Sequence, residues 1–107
     1  MTPDTSQLFI ALNHVVRRRI LRTLFEAEER LASPTQFAAA LDMPLSNVNY
    51  HVTVLANMEA LELVETRAVR GATEHFYRLA LDGQGEWVCA ALDASRDSDS
   101  ESESGRD

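Results

Sequence analysis

The sequence predicts a mainly α fold with one small β-hairpin. Three observations carry this. Apolar residues recur at helical spacing through residues 7–25 and again through residues 34–58. Residues 62–81 change character, with two runs rich in β-branched and aromatic residues on either side of Arg70-Gly71-Ala72-Thr73. Helical spacing then returns in a last apolar stripe of Trp87, Val88, Ala91 and Leu92.

Residues 1–6 read as a flexible start, with Thr5 or Ser6 placed to cap a helix. Beyond them Leu8, Phe9, Leu12, Val15, Val16, Ile20, Leu21, Leu24 and Phe25 form helical stripes, and Asn13-His14 marks a bend that divides them into two helices. Arg17, Arg18, Arg19 and Arg22 occupy the remaining face, and the polar residues 27–32 form a connector. Ser33-Pro34 is a helix start, with serine at the cap and proline at the first position. That helix turns Phe37, Ala38 and Leu41 inward and ends near Asp42-Met43-Pro44. After a short turn, Leu45 or Ser46 opens a helix that runs to about residue 58. Val48, Val52 and Leu55 step by four and three, so they face the core, with His51 beside them. The β-rich runs then form a hairpin in which Gly71 supplies a positive φ if the turn needs one. Asp82 is placed to cap the last helix, and residues 95–107 alternate serine with acids and predict a disordered tail.

Two helices joined by a tight turn, the second leading into a hairpin, make a winged helix-turn-helix with a terminal helix added. The expected organisation is a flexible N-terminus over 1–6, one domain over 7–94 with dimerising terminal helices, and an acidic tail over 95–107.

The chain of 107 residues suffices for one domain, and its 45% hydrophobic content supports a real core. No apolar run approaches the roughly 18 residues of a membrane span, and no basic-then-apolar leader is present, so a soluble cytoplasmic protein is expected. Cys89 is the single cysteine, which excludes an intrachain disulfide and a Cys-rich metal cluster. The net charge of −7 argues against nucleic acid until it is divided. Residues 93–107 hold six acids against Arg96 and Arg106, which leaves −3 on the rest of the chain. That is still not a basic domain, so non-specific DNA affinity should be weak and lost early with salt. All ten basic residues are arginine, a pattern best read as GC-rich codon usage.

With Val48, Val52 and Leu55 inward, the outward residues of the fourth helix are Ser46, Asn47, Asn49, Tyr50, Thr53 and Asn57. Asparagine bonds adenine at two points, Ser and Thr bond any base, and a Thr methyl can touch thymine. An ordinary solvated face would carry Lys and Glu, which favour helix more than Asn, Ser and Tyr do. That contrast favours base reading. Arg67 and Arg70 flank the hairpin turn and Arg78 lies on the returning strand; all three suit phosphate contact, or else simply solubilise a ribbon edge. Of Arg17, Arg18 and Arg19, three consecutive positions spanning most of a turn, at most some can face DNA; one is expected to pair with Glu26, Glu28 or a nearby acid. His14, His51 and His75 lack metal-site spacing, and Cys89 reads as a buried neutral thiol. With no phosphate-binding glycine loop and no nucleophile elbow, no catalysis, cofactor or metal is expected.

At these residues the chain resembles the ArsR-like winged helix-turn-helix transcriptional regulators. ALNHVVRRRILRTL is similar to the family's first helices, SPTQFAAALDMPLSNVNYHVTVL to its helix-turn-helix and LELVETRAVRGATEHFYRL to its wing. The resemblance covers about residues 7–92. It implies a homodimer built on the first and last helices, reading a palindromic operator. By position it assigns Ser46, Asn47, Asn49, Tyr50 and Thr53 to base and phosphate contacts, Arg67 and Arg70 to the wing, and His51 to a partly buried place behind the helix. Two departures stand out. QFAAALD and EWVCAALDAS lack the ligands of the family's metal sensors, and Glu59-Ala60-Leu61 replaces a glycine-bearing turn before the wing.

The terminal helices give an independent argument for the dimer. Leu8, Phe9, Leu12, Trp87, Val88, Ala91 and Leu92 make more apolar face than one small domain covers, as an isologous contact would require. The expected function is a sequence-specific DNA-binding regulator, a homodimeric repressor, with helix 45–58 in the major groove and wing 62–81 beside it. The alternative is a winged-helix interaction module with weak or no DNA binding, favoured by the acidic balance and by the lack of Lys or Arg from Pro44 to Thr66.

Overall fold

The structure, a computed structural model, describes residues 3–96 and 99. Among these the order is α1 (Thr5–Ala11), α2 (Val15–Glu26), α3 (Pro34–Leu41), α4 (Leu45–Asn57), β1 (Leu61–Val69), β2 (Ala72–Leu79) and α5 (Gly85–Ala94). The mainly α winged helix-turn-helix expected from the sequence is the fold observed.

The bend at Asn13-His14 has a local cause. His14 is extended (φ −120°, ψ 126°), which ends one helix, and its Nδ1 accepts the Val16 N–H at 3.2 Å, which starts the next. Neither Thr5 nor Ser6 caps α1. Asp4 holds the cap position, and the Thr5 hydroxyl instead donates to Gln84 Oε1 at 2.7 Å, tying α1 to the start of α5. At α3 the expected cap is present and doubled. Ser33 Oγ accepts the Gln36 N–H while Gln36 Oε1 accepts the Ser33 N–H.

Asp42 ends α3 in the left-handed region (φ 56°), and Pro44 follows before α4 begins. The other end of α4 closes by two reverse bonds, Ala60 N–H to Leu55 O at 2.9 Å and Glu59 N–H to Ala56 O at 3.0 Å. This Schellman arrangement needs a left-handed residue at position 59, and Glu59 supplies it at φ 68°. The turn that lacks glycine therefore keeps the ordinary shape at the cost of local strain.

β1 and β2 pair antiparallel from Leu61↔Leu79 to Val69↔Ala72, with a bulge at Val64. Arg70 (φ 52°) and Gly71 (φ 81°) form a two-residue turn with both φ positive, the geometry that suits a right-twisted hairpin. Ala32 pairs with Tyr77 through N–H bonds of 3.1 and 2.9 Å, so the segment before α3 is stitched to the wing. The Ser33 hydroxyl adds a 2.6 Å bond to Glu74.

The core draws on every helix: Leu8 and Ala11, Ile20, Leu21 and Leu24, Phe37 and Leu41, Val48, Val52 and Leu55, and Val88 and Leu92. Burying each of the Leu, Ile, Val and Phe side chains contributes about 1.5–3 kcal/mol before chain entropy is counted. Asp82 does not cap the last helix. Residues 82–84 form a turn with Gly83 at φ 75°, and Gln84 holds the cap position. The chain runs on before helix resumes because Gly83 takes a left-handed conformation that α-helix cannot include.

Most of the expected disordered tail lies outside the described residues. Ser95, Arg96 and Asp99, which are described, all reach α2. Asp99 accepts a two-pronged bond from Arg18 (3.2 and 2.8 Å) and a 2.8 Å bond from Arg22. Arg22 also donates to Leu92 O and Ser95 Oγ. The acid that pairs with Arg18 and Arg22 of α2 is therefore not Glu26, Glu28 or another neighbour along the chain but Asp99, brought to them by the packing of the segment after α5. Glu26 is taken by Arg96 at 2.6 Å. The Arg18 hydrogen bond, helped by Arg22 and opposed by burial, holds the Asp99 carboxyl below its ordinary value. A lowered carboxylate contributes stability above its unfolded value, about 3.9, and loses it as pH falls through the folded value.

Candidate nucleic-acid interface

Helix α4 has two faces of different chemistry. Val48, Val52 and Leu55 are buried, and Ser46, Asn47, Asn49, Tyr50, Thr53 and Asn57 are all exposed. Tyr50 is 64% exposed, and Leu45 at the start of the helix is exposed too. The face therefore offers hydrogen-bonding groups and one aromatic ring, with no formal charge. A side chain already bonded to its own helix cannot read a base. Among the described residues none of these six side chains is held by a hydrogen bond.

The wing stands next to that face. A shallow cleft of about 160 Å³ separates them, with Leu45 and Asn49 on one wall and Thr73, Glu74 and His75 on the other. Pro34 and Thr35 close its floor. The capping serine ties the α3 side of the cleft to the wing, because Ser33 binds both the first turn of α3 and Glu74 of β2.

The wing arginines differ from one another. Arg67 bonds Glu65 at 2.7 Å and stacks over the Phe76 ring at 4.2 Å. That hydrogen bond lowers the Glu65 pKa and raises that of Arg67. Arg78 bonds Glu62 at 2.6 Å across the strands. Arg70, at the tip, has no acid partner among the described residues. DNA would have to compete with a carboxylate for Arg67 and Arg78, and would meet Arg70 free. Glu65 and Arg67 stand two apart on one strand face, whereas Glu62 meets Arg78 only through the strand register.

Of the α2 arginines, Arg18 is held by Asp99 and by Leu12 O at 2.7 Å, and Arg19 reaches Leu41 O at 3.3 Å. Arg17 lies by the two histidines. His14 stacks on His51 with ring centroids 4.3 Å apart, and Tyr50 meets His51 edge to face at 5.0 Å. His51 is 8% exposed, which agrees with its expected place behind the helix. Burial, then repulsion from neighbouring charge, lowers both pKa values. The neighbours are Arg17 and Arg18 for His14, and His14 and Arg17 for His51. Spacing along the chain does not reveal this stack, since His14 and His51 belong to different helices.

The proposed dimer residues separate into two groups. Leu8, Val88 and Leu92 are buried inside the chain itself and have no surface left for a partner. They are core residues: all three join the buried cluster, and α5 packs on α2. Leu12, Trp87 and Ala91 are half-buried, and Phe9 is 63% exposed and stacks on Trp87 at 4.7 Å. Ile10, not anticipated, is 67% exposed beside Phe9. Cys89 is half-buried and free. Among the described residues no group of His, Cys, Asp and Glu could hold a metal, and no helix is long and apolar enough to cross a membrane.

The family model of the helix-turn-helix domain matches residues 12–67, from the bend before α2 to the middle of β1. The chain belongs to the helix-turn-helix domain family. Solved structures extend the likeness to the whole winged fold. HlyU of Vibrio cholerae is 19% identical, covers 78% of this chain and 82% of its own, and superposes with a TM-score of 0.61. The antimony-specific transcriptional repressor AntR is 23% identical, with 91% and 78% covered and a TM-score of 0.62. An ArsR family transcriptional regulator is 20% identical over the full length of both chains, at a TM-score of 0.52. This helix-turn-helix protein therefore has the ArsR-like winged fold. No curated protein sequence matches it.

Proposed function

We propose that this chain is a cytoplasmic, sequence-specific DNA-binding transcriptional regulator, a repressor that acts as a homodimer. The observation that carries the reading is the exposed face of α4. Its asparagines, serine, threonine and tyrosine are free of other bonds, and the opposite face is locked into the core. Ser46, Asn47, Asn49, Tyr50 and Thr53 enter the major groove, and Arg70, with Arg67, meets the neighbouring backbone. Phe9 and Ile10, with half-buried Trp87 stacked on Phe9, supply the apolar surface that a twofold contact would cover. Two copies then present their α4 helices to a palindromic operator with half-sites about 34–36 Å apart. AntR is a transcriptional repressor, and that role is carried over as part of this proposal.

Selection of sites from random duplex DNA with the purified protein tests the reading. The expected result is a palindrome bound far more tightly than scrambled duplex across a salt series. Absence of enrichment would overturn it.

One observation favours a second reading, a winged-helix protein-interaction module. Arg67 and Arg78 are already paired with acids of the wing, and α3 and α4 carry no cation. A protein of this kind would bind duplex only weakly, at low salt.

A further inference from the structure

Helix α4 must hold Tyr50 in one position if that ring is to read DNA, and the ring behind it is His51. Their edge-to-face contact, at 5.0 Å and 76°, continues into the His51–His14 stack at 4.3 Å and 51°. His14 in turn caps α2 by accepting the Val16 N–H on Nδ1. One column of rings thus runs from the start of α2 to the exposed face of α4.

We propose that His14 and His51 are positioning residues for Tyr50, and that they work only while both rings are neutral. A ring that accepts at Nδ1 carries its proton on Nε2. Adding a second proton turns Nδ1 into a donor, so the cap bond to Val16 is lost. His51 has no compensation to offer, because its Nδ1 is buried without a partner among the described residues. The charged groups facing the pair are Arg17 and Arg18 of α2, and the Arg17 Nε is likewise buried and unpartnered. Protonation of both rings would therefore bring like charges together against Arg17 at the base of the column. Relief comes from separating α2 from α4, which withdraws support from Tyr50. The sign is distinctive. Extra positive charge on a DNA-binding protein ordinarily strengthens binding in acid, whereas loss of this column weakens it.

The inference rests on the regulator reading for its consequence, but its geometry can be tested alone. The full-length protein is titrated by NMR between about pH 8 and about pH 5, which brackets histidine's ordinary range, while the histidine Cε1–H and Tyr50 ring signals are followed. Affinity for the duplex selected above is measured over the same range. The comparison protein carries His14→Asn, which keeps a capping acceptor, and His51→Phe, which keeps the ring. The wild type is expected to bind about fivefold more weakly in acid, the size of one lost cap, and the double variant is expected to lose that dependence. Tyr50 signals should move with the two histidines. Binding that strengthens in acid, or a Tyr50 ring indifferent to both histidines, would overturn the proposal. If no duplex is bound but Tyr50 still follows the pair, the positioning column stands and the DNA reading falls.

Discussion

Helix α4 and the wing face the same cleft with opposite chemistries. α4 is uncharged from Leu45 to Asn57, and its exposed polar groups are unoccupied. The wing is dense in charge, yet Arg67 and Arg78 are each held by a glutamate of the hairpin. The difference teaches how selectivity and affinity separate in such an interface. Uncharged groups discriminate between bases and add little salt-dependent attraction. Arginines attract phosphate indiscriminately, and acid partners weaken that attraction. On the proposed reading, such a chain would bind weakly wherever α4 found no matching bases. α2 supplies a third case, since Arg18 and Arg22 are committed to Asp99 and serve the fold.

The largest expected effect concerns that third case. Asp99→Ala should cost about 3 kcal/mol in urea denaturation, because two largely buried arginines lose their carboxylate. Unchanged stability with a salt slope of duplex binding steeper by about two would move these arginines to the DNA side. Next comes α4 itself. Asn49→Ala or Tyr50→Ala should remove about 1–3 kcal/mol of discrimination between the selected site and scrambled duplex, with the salt slope unchanged. A uniform loss on every sequence would show that these side chains touch only backbone.

The tie between α3 and the wing can be cut at Ser33. Ser33→Ala removes the α3 cap and the bond to Glu74, and should lower stability by about 1–2 kcal/mol in thermal melts. On the wing, Glu65→Gln should release Arg67 and steepen the salt slope by about one. No steepening would mean that Arg67 stays on Phe76 and never meets phosphate. The smallest effect is expected at the end of α4, where Glu59→Gly should stabilise by about 0.5–1 kcal/mol by relieving a left-handed glutamate. A loss of stability there would mean that the glutamate side chain makes up for the strain.

Much of the fold was legible because its signals are local. The four-and-three step of Val48, Val52 and Leu55 set the buried face of α4 and, with it, the exposed polar face. Ser33-Pro34 announced α3, and Arg70-Gly71 the hairpin turn, since caps and turns depend on one or two residues. The start of α5 was misread because Asp82 is a good capping residue by type, and only the observed backbone shows Gly83 and Gln84 intervening.

What the sequence by itself determined is therefore the order of elements and the two faces of each helix, because helical periodicity and cap chemistry act over a few residues. What only the tertiary structure decided is which side chains are already committed. Leu8, Val88 and Leu92 belong to the core and not to a partner, while Phe9 and Ile10 stay exposed. Arg18 and Arg22 meet an acid some eighty residues away, and His14 meets His51 across two helices. Such pairings depend on how helices pack in three dimensions, and spacing along the chain carries no record of it.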